Sequence, residues 1–159
     1  ICNELQLPKK ESETIRVAAL LHDYGKIGVP DAILKKPGRL SRDEYEIVKT
    51  HAMKTRKILE QINFTDELSR VPEIAGAHHE KMDGSGYPLG VSGDDILPES
   101  RVLTVADIVE AMASHRPYRP GLGIDVALGE INKNKGRLYD PEVSAACHAL
   151  FNEKRFTFD

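Results

Sequence analysis

The 159-residue chain carries 22 Lys and Arg residues against 25 Asp and Glu residues, which gives a formal net charge of −3. This balance excludes an overall basic field that would attract a nucleic acid or an anionic membrane, so we expect no DNA partner. Hydrophobic residues make up 40% of the chain, and no apolar run reaches the length of a membrane span. We therefore expect one globular domain over residues 1–159 without direct membrane insertion.

Cysteine usage favours a reducing compartment. Cys2 and Cys147 lie near opposite ends of the chain, and two cysteines are too few for a disulfide framework or a thiolate zinc site. The first ten residues show no signal-peptide pattern. We therefore expect a cytoplasmic location. Because the sequence begins with Ile1 rather than Met, we also expect it to come from a longer protein.

Apolar residues recur at three- and four-residue intervals along most of the chain, which predicts helices. Ser41 and Glu44 form the pattern of a capping box, and Pro117 stops a helix near His115. The predicted helices cover residues 14–24, 41–62, 65 or 72 to 80, 98–115, 125–133 and 141–153. No segment alternates with a period of two, so the fold class is all-α, a multi-helix bundle with little or no sheet.

A long turn-rich loop over residues 81–97 contains four glycines and one proline between the predicted third and fourth helices. Loops of this length in compact domains are usually functional or mobile. On composition alone, a functional loop and a simple surface excursion are both consistent with the sequence.

Four histidines on predicted helices could carry chemistry: His22, His51, His78 and His79. A single buried histidine is most simply explained by a hydrogen bond to a carbonyl, but four together with two aspartates weaken that explanation. His22 and Asp23 diverge by about 100° on a helix, so they can hold a metal from two sides or bridge two metals. Asp107 lies in an apolar stretch, where an ionised carboxylate needs a cation or hydrogen bonds.

Three cations accompany these ligands. Lys26 lies one turn beyond His22 and suits a phosphate oxygen or a departing alkoxide, although a solvated lysine at a helix end is the simpler alternative. Arg116 and Arg119 follow the Asp107 helix on a proline-stiffened turn and suit bidentate phosphate binding, with solvated surface arginines as the alternative. Imidazoles, carboxylates and cations together indicate two-metal hydrolysis of a phosphate ester, with Fe, Mn, Zn or Ni as the metal.

Five segments resemble one known family, the HD-GYP domain, a branch of the HD phosphohydrolase superfamily. They occupy residues 21–30, 50–51, 78–88, 105–107 and 116–119. The resemblance implies an all-helical fold and a phosphodiesterase that opens cyclic di-GMP to linear pGpG, often continuing to GMP. It also implies attack on phosphorus by a hydroxide that bridges two metals, and two or three divalent first-row ions, iron or manganese.

The resemblance also implies roles for individual residues. Asp23 is expected to bridge two metals, with Lys26 beside the hydroxide, and these two residues are the catalytic candidates. The family's metal ligands correspond to His22, Asp23, His51, His78, His79 and Asp107. The substrate-contact positions correspond to Arg116, Arg119, Gly86 and Tyr87. Tyr87 is expected either to stack on or hydrogen-bond a guanine or to shape the loop.

Further partners follow from the same resemblance. The Gly86–Tyr87–Pro88 loop is linked in the family to diguanylate cyclase domains, and an upstream receiver or sensory domain is expected in a two-component signalling protein. Family members carry a further His, and three-metal members also a Glu, upstream of the His-Asp pair. No histidine occurs among the 21 residues before His22. Either that helix lies outside this sequence or the protein lacks a ligand.

Two alternative functions differ from a cyclic di-GMP phosphodiesterase. One is a catalytically silent module that senses the dinucleotide or binds a cyclase domain. The other is an HD hydrolase for a different cyclic dinucleotide, because no base-reading residue is identifiable beyond the loop around Tyr87.

Overall fold

The computed structural model describes residues 1–114, 121–153 and 156–158. These residues form seven α-helices: α1 (Lys9–Leu21), α2 (Asp31–Leu34), α3 (Arg42–Leu59), α4 (Val71–Gly76), α5 (Pro98–Ala113), α6 (Ile124–Asn134) and α7 (Pro141–Asn152). Short 3-10 helices cover Tyr24–Gly28, Asp66–Leu68 and Gly93–Asp95. Over the same residues, β pairing is limited to an isolated bridge between Lys135 and Tyr139. The predicted all-α class is confirmed.

Local sequence signals set where the longer helices begin. Ser41 caps α3, because its hydroxyl accepts from the Glu44 amide at 3.2 Å and its own amide donates to the Glu44 carboxylate at 2.6 Å. The predicted capping box is therefore confirmed. Pro98 opens α5, and the Asp140 carboxylate accepts from two amides in the first turn of α7.

Two helices are shorter than predicted at the ends that carry the candidate residues. α1 ends at Leu21 and α4 ends at Gly76, so His22, Asp23, His78 and His79 follow helices instead of lying within them. Adjacent residues within a helix would point about 100° apart. Ending the helix early releases the backbone and lets both members of each pair face one site, an outcome of tertiary packing that periodicity does not predict.

Two hydrophobic clusters meet along α1 and α5. One cluster buries Ile15 and Val105 against α6 and α7. The other buries Ala18 and Leu103 against α3 and α4. Because α1 and α5 contribute to both clusters, these two helices connect them. The C-terminal ends of α1 and α4 meet the middle of α3 beside this pair. Within the described ranges, no helix is both long enough and apolar enough to cross a bilayer.

Candidate metal centre

The turn after α1 is held tightly against α3. Thr55 is fully buried, its hydroxyl donates to the His22 carbonyl, and it accepts from the Gly25 amide, both at 2.8 Å. A Cβ atom on Gly25 would lie 2.1 Å from the His51 carbonyl oxygen, so only glycine permits this approach. The packing therefore brings His22 and Asp23 next to His51.

Four imidazoles converge beside this turn. His51 is 1% and His78 0% exposed, and their Nε2 atoms lie 3.4 Å apart. The Nε2 atom of His79 lies 3.2 Å from that of His51. The rings of His22 and His78 pack edge to face, with centroids 4.8 Å apart. The structure thus brings together all four histidines that the sequence singled out.

Hydrogen bonds fix the orientation of three of these rings. In each, Nδ1 lies 2.6 Å from the carbonyl oxygen three residues earlier, the pairs being His22 with Ala19, His51 with Val48 and His78 with Ala75. A carbonyl oxygen only accepts, so Nδ1 carries the proton and Nε2 of a neutral ring presents its lone pair. The Nε2 lone pairs of His51 and His78 therefore face each other, an arrangement that a bound cation stabilises.

Two carboxylates complete the cluster. The two oxygens of Asp23 lie 3.5 Å from the Nε2 atoms of His22 and His51, one oxygen toward each ring. Asp107 Oδ1 lies 3.4 Å from His22 Nε2. Lys26 Nζ donates to Asp23 Oδ2 at 2.5 Å. The carboxylate of Asp23 therefore lies between two histidines and a lysine.

Two overlapping groups have the spacing needed for metal binding. One consists of His51, His78 and His79, and the other of His22, Asp23 and His78. Within each group the ligand atoms lie within 4.8 Å of one another. Nitrogen and carboxylate donors of this kind suit first-row divalent ions, so the side chains present fit the metals that the sequence predicted.

Burial keeps the inner histidines in the neutral form that metal binding requires. Burial lowers the pKa of His51 and lowers the pKa of His78 to about 4. Burial, together with the proximity of His78, lowers the pKa of His79 to about 2. For His22, burial alone would lower the pKa, but hydrogen bonds to Asp107 and Ala19 raise it. Burial opposes ionisation of Asp107, yet its hydrogen bond and attraction to His22 lower the pKa to about 2.

The loop over residues 81–97 folds back onto the histidine pair. A Cβ atom on Gly86 would lie 2.5 Å from both the His79 carbonyl oxygen and the Lys81 amide nitrogen, so this glycine packs directly on that backbone. The Tyr87 amide donates to the His79 carbonyl at 3.2 Å, and the two rings pack at an angle of 31° with centroids 4.6 Å apart. The loop therefore packs against the histidine pair.

Glu80 anchors the same loop and was not singled out as a functional residue from the sequence. Its side chain is 1% exposed, and Oε1 accepts from the amides of Leu89 at 2.7 Å and Gly90 at 3.3 Å. Its second oxygen is buried without a hydrogen-bond partner among the described residues. Burial raises the pKa of Glu80. The sequence signal that could have identified Glu80 is its position, directly after a histidine pair and directly before a glycine-rich loop.

A cleft of about 550 Å³ opens over the cluster. Asp23, Lys26, His51, His79 and Asp107 lie along it, and Tyr45 and Tyr87 form one edge. Tyr45 on α3 was not predicted to be part of the site, because its place beside Tyr87 results from contacts between distant parts of the chain. Arg116 and Arg119, the predicted phosphate contacts, lie outside the described residues.

The helical fold and this His-Asp cluster define a domain of the HD class, and the model of the HD domain family matches residues 1–143. The chain belongs to that family, which implies divalent metal binding, and its resemblance to HD-GYP phosphodiesterases is confirmed.

Three similar proteins come from different bacteria. The "3'3'-cGAMP-specific phosphodiesterase 3" of Vibrio cholerae is 44% identical over 96% of this chain and 32% of its own length. The "Cyclic di-GMP phosphodiesterase" of Thermotoga maritima is 42% identical over 96% of this chain and 41% of its own length. The "Cyclic di-GMP phosphodiesterase response regulator RpfG" of Xanthomonas campestris is 40% identical over 89% of this chain and 37% of its own length. The chain thus spans 32–41% of the length of these relatives.

Proposed function

We propose that this chain is the catalytic domain of a metal-dependent phosphodiesterase that hydrolyses cyclic di-GMP to pGpG and onward to GMP. The observation that carries the proposal is the pair of overlapping His and Asp groups at the base of an open cleft. The names of the similar proteins from Thermotoga and Xanthomonas support the substrate.

In this proposal, two divalent ions are held by His22, Asp23, His51, His78, His79 and Asp107. When bound, the metals supply an activated water and polarise the phosphoryl oxygens. Asp23 would contact both ions, since its two oxygens face His22 of one group and His51 of the other. Lys26 is positioned by Asp23 at the cleft, where its ammonium neutralises charge developing on a phosphate oxygen.

A second substrate is favoured by one specific comparison. The relative from Vibrio cholerae that is 44% identical is named as specific for 3'3'-cGAMP. Both dinucleotides present the same phosphodiester to a metal pair and differ in one base. The proposal therefore includes 3'3'-cGAMP as the alternative substrate of the same site.

The test is hydrolysis of both dinucleotides by the protein loaded with Mn(II) or anaerobic Fe(II). We expect linear product from the wild-type protein and at least about a hundredfold loss in His22→Ala and Asp23→Ala. Glu13→Gln, which alters an exposed ion pair on α1, is the control and keeps full activity. Activity that survives metal removal would contradict the mechanism, and tight binding without turnover would instead favour the silent module.

We also propose that a regulatory domain accompanies this one in the full protein. Each of the three relatives is more than twice as long as the matched region, and one is named as a response regulator. Sequencing the complete gene tests this directly: a chain without a receiver or sensory segment would contradict it.

A further inference from the structure

A second groove, of about 450 Å³, lies on the outer side of Tyr87. Glu46 and Lys49 on α3 line it, together with Tyr87 and Pro88 from the loop. Tyr87 also lines the cleft over the histidines, so one ring separates the two spaces. The outer groove is therefore adjacent to the cleft, across a single side chain.

Lys49 is held at the centre of the groove by three neighbours. Its Nζ atom lies 5.7 Å from the centre of the Tyr45 ring and 5.6 Å from the centre of the Tyr87 ring, both within cation–π range. The same atom lies 2.8 Å from the Glu46 carboxylate. The lysine side chain is 28% exposed, so its ammonium is partly desolvated and still accessible to a ligand.

The Glu46–Lys49 pair places one hydrogen-bond acceptor, the carboxylate, beside one donor, the ammonium. Guanine presents the O6 acceptor beside the N1–H and N2–H donors on one edge. Adenine presents the reverse order, an N6 donor beside the N1 acceptor. A lysine only donates and an ionised carboxylate only accepts. The carboxylate can accept from both N1–H and N2–H of guanine while the lysine donates to O6. Adenine carries only the N6 donor on this edge, so the pair forms one hydrogen bond fewer with adenine.

We propose that Glu46, Lys49 and the ring of Tyr87 form a guanine-binding subsite that sets base preference. The subsite rests on the proposed function for its connection to a cyclic dinucleotide. Lys49 donates to O6, Glu46 accepts from N1–H and N2–H, and the aromatic ring covers a face of the base. Because Tyr87 also packs against His79, the base lies one side chain away from the phosphate-binding histidines.

The test separates binding from turnover. Calorimetry with chelator-treated protein compares cyclic di-GMP, 3'3'-cGAMP and cyclic di-AMP. We expect the wild-type protein to bind the two guanine-containing ligands at least about tenfold more tightly than cyclic di-AMP. Glu46→Gln and Lys49→Met each reduce that preference to about threefold or less, chiefly by weakening the binding of the guanine ligands.

Matched controls come from Glu13 and Arg16 on α1, which form an exposed ion pair with the same three-residue spacing. Glu13→Gln and Arg16→Met should leave all three affinities unchanged. Equal affinity of the wild-type protein for all three ligands would overturn the subsite, as would equal weakening of all three by the groove variants. If guanine preference is present but the Mn(II)-loaded protein hydrolyses none of the ligands, the subsite holds and the proposed function fails.

Discussion

At the scale of single residues, Gly25 has the strictest requirement in the described chain. It lies where the His22–Asp23 turn contacts the backbone of α3, next to the carbonyl of His51 and the amide of Thr55. Any side chain there separates the turn from α3 and thereby moves two candidate ligands away from a third. The residue thus connects local backbone sterics to the geometry of the site.

We expect Gly25→Ala to lower the free energy of unfolding by about 3 kcal/mol, because its Cβ would lie 2.1 Å from a carbonyl oxygen that cannot retreat. Urea denaturation measures this change. The matched control is Gly129→Ala within α6, where a Cβ meets nothing within 4 Å. This control should stabilise the protein by about 0.5–1 kcal/mol. Equal effects of the two substitutions would contradict the packing argument.

At the scale of elements, a buried carboxylate helps to hold the loop over residues 81–97 in place. Glu80 binds the amides of Leu89 and Gly90, and the same loop places Tyr87 over His79. Hydrogen bonds to charged groups contribute about 1.5–3 kcal/mol. Loss of this anchor should therefore release the loop without unfolding the helices.

We expect Glu80→Ala to increase amide hydrogen exchange at Leu89 and Gly90 by about tenfold or more. The KM for cyclic di-GMP should rise more than kcat falls, because Tyr87 no longer borders the cleft. Glu80→Gln keeps an acceptor at Oε1 and should restore most of the protection. Unchanged exchange at these two amides in the alanine variant would show that other contacts hold the loop.

At the scale of the whole molecule, the buried histidines make stability depend on pH. The ordinary histidine pKa is about 6.5, and burial lowers the pKa of His78 to about 4 in the folded protein. Between these values the unfolded chain binds more protons, so acid favours unfolding. The contribution of His78 to stability is fully present above about pH 6.5 and is lost as the pH falls toward 4.

For the metal-free protein we therefore expect His78 to contribute a fall on the order of 3 kcal/mol in the free energy of unfolding across this window. Urea denaturation at several pH values measures it. His78→Gln, which does not titrate, should show a flatter profile despite a lower starting stability. A steeper acid loss in this variant would contradict the assignment.

Sequence reasoning succeeded where the determinants are local. Ser41 and Glu44 are three residues apart and form their cap without help from the rest of the fold. The candidate ligands were likewise identified because a cluster of histidines and buried aspartates is unusual for a core. Periodicity wrongly placed His78 and His79 within a helix, since α4 ends early to turn both toward α3. Glu46 and Lys49 were missed because their setting depends on a loop from a distant part of the chain.

The three rings anchored by their own helices have one further consequence. Each imidazole is tied to a carbonyl of the preceding turn, so its torsion angles are already restricted before any ion arrives. Capture of an ion then costs little side-chain entropy, since ring rotation has been lost during folding. The candidate metal site is thus preorganised by secondary structure before an ion binds.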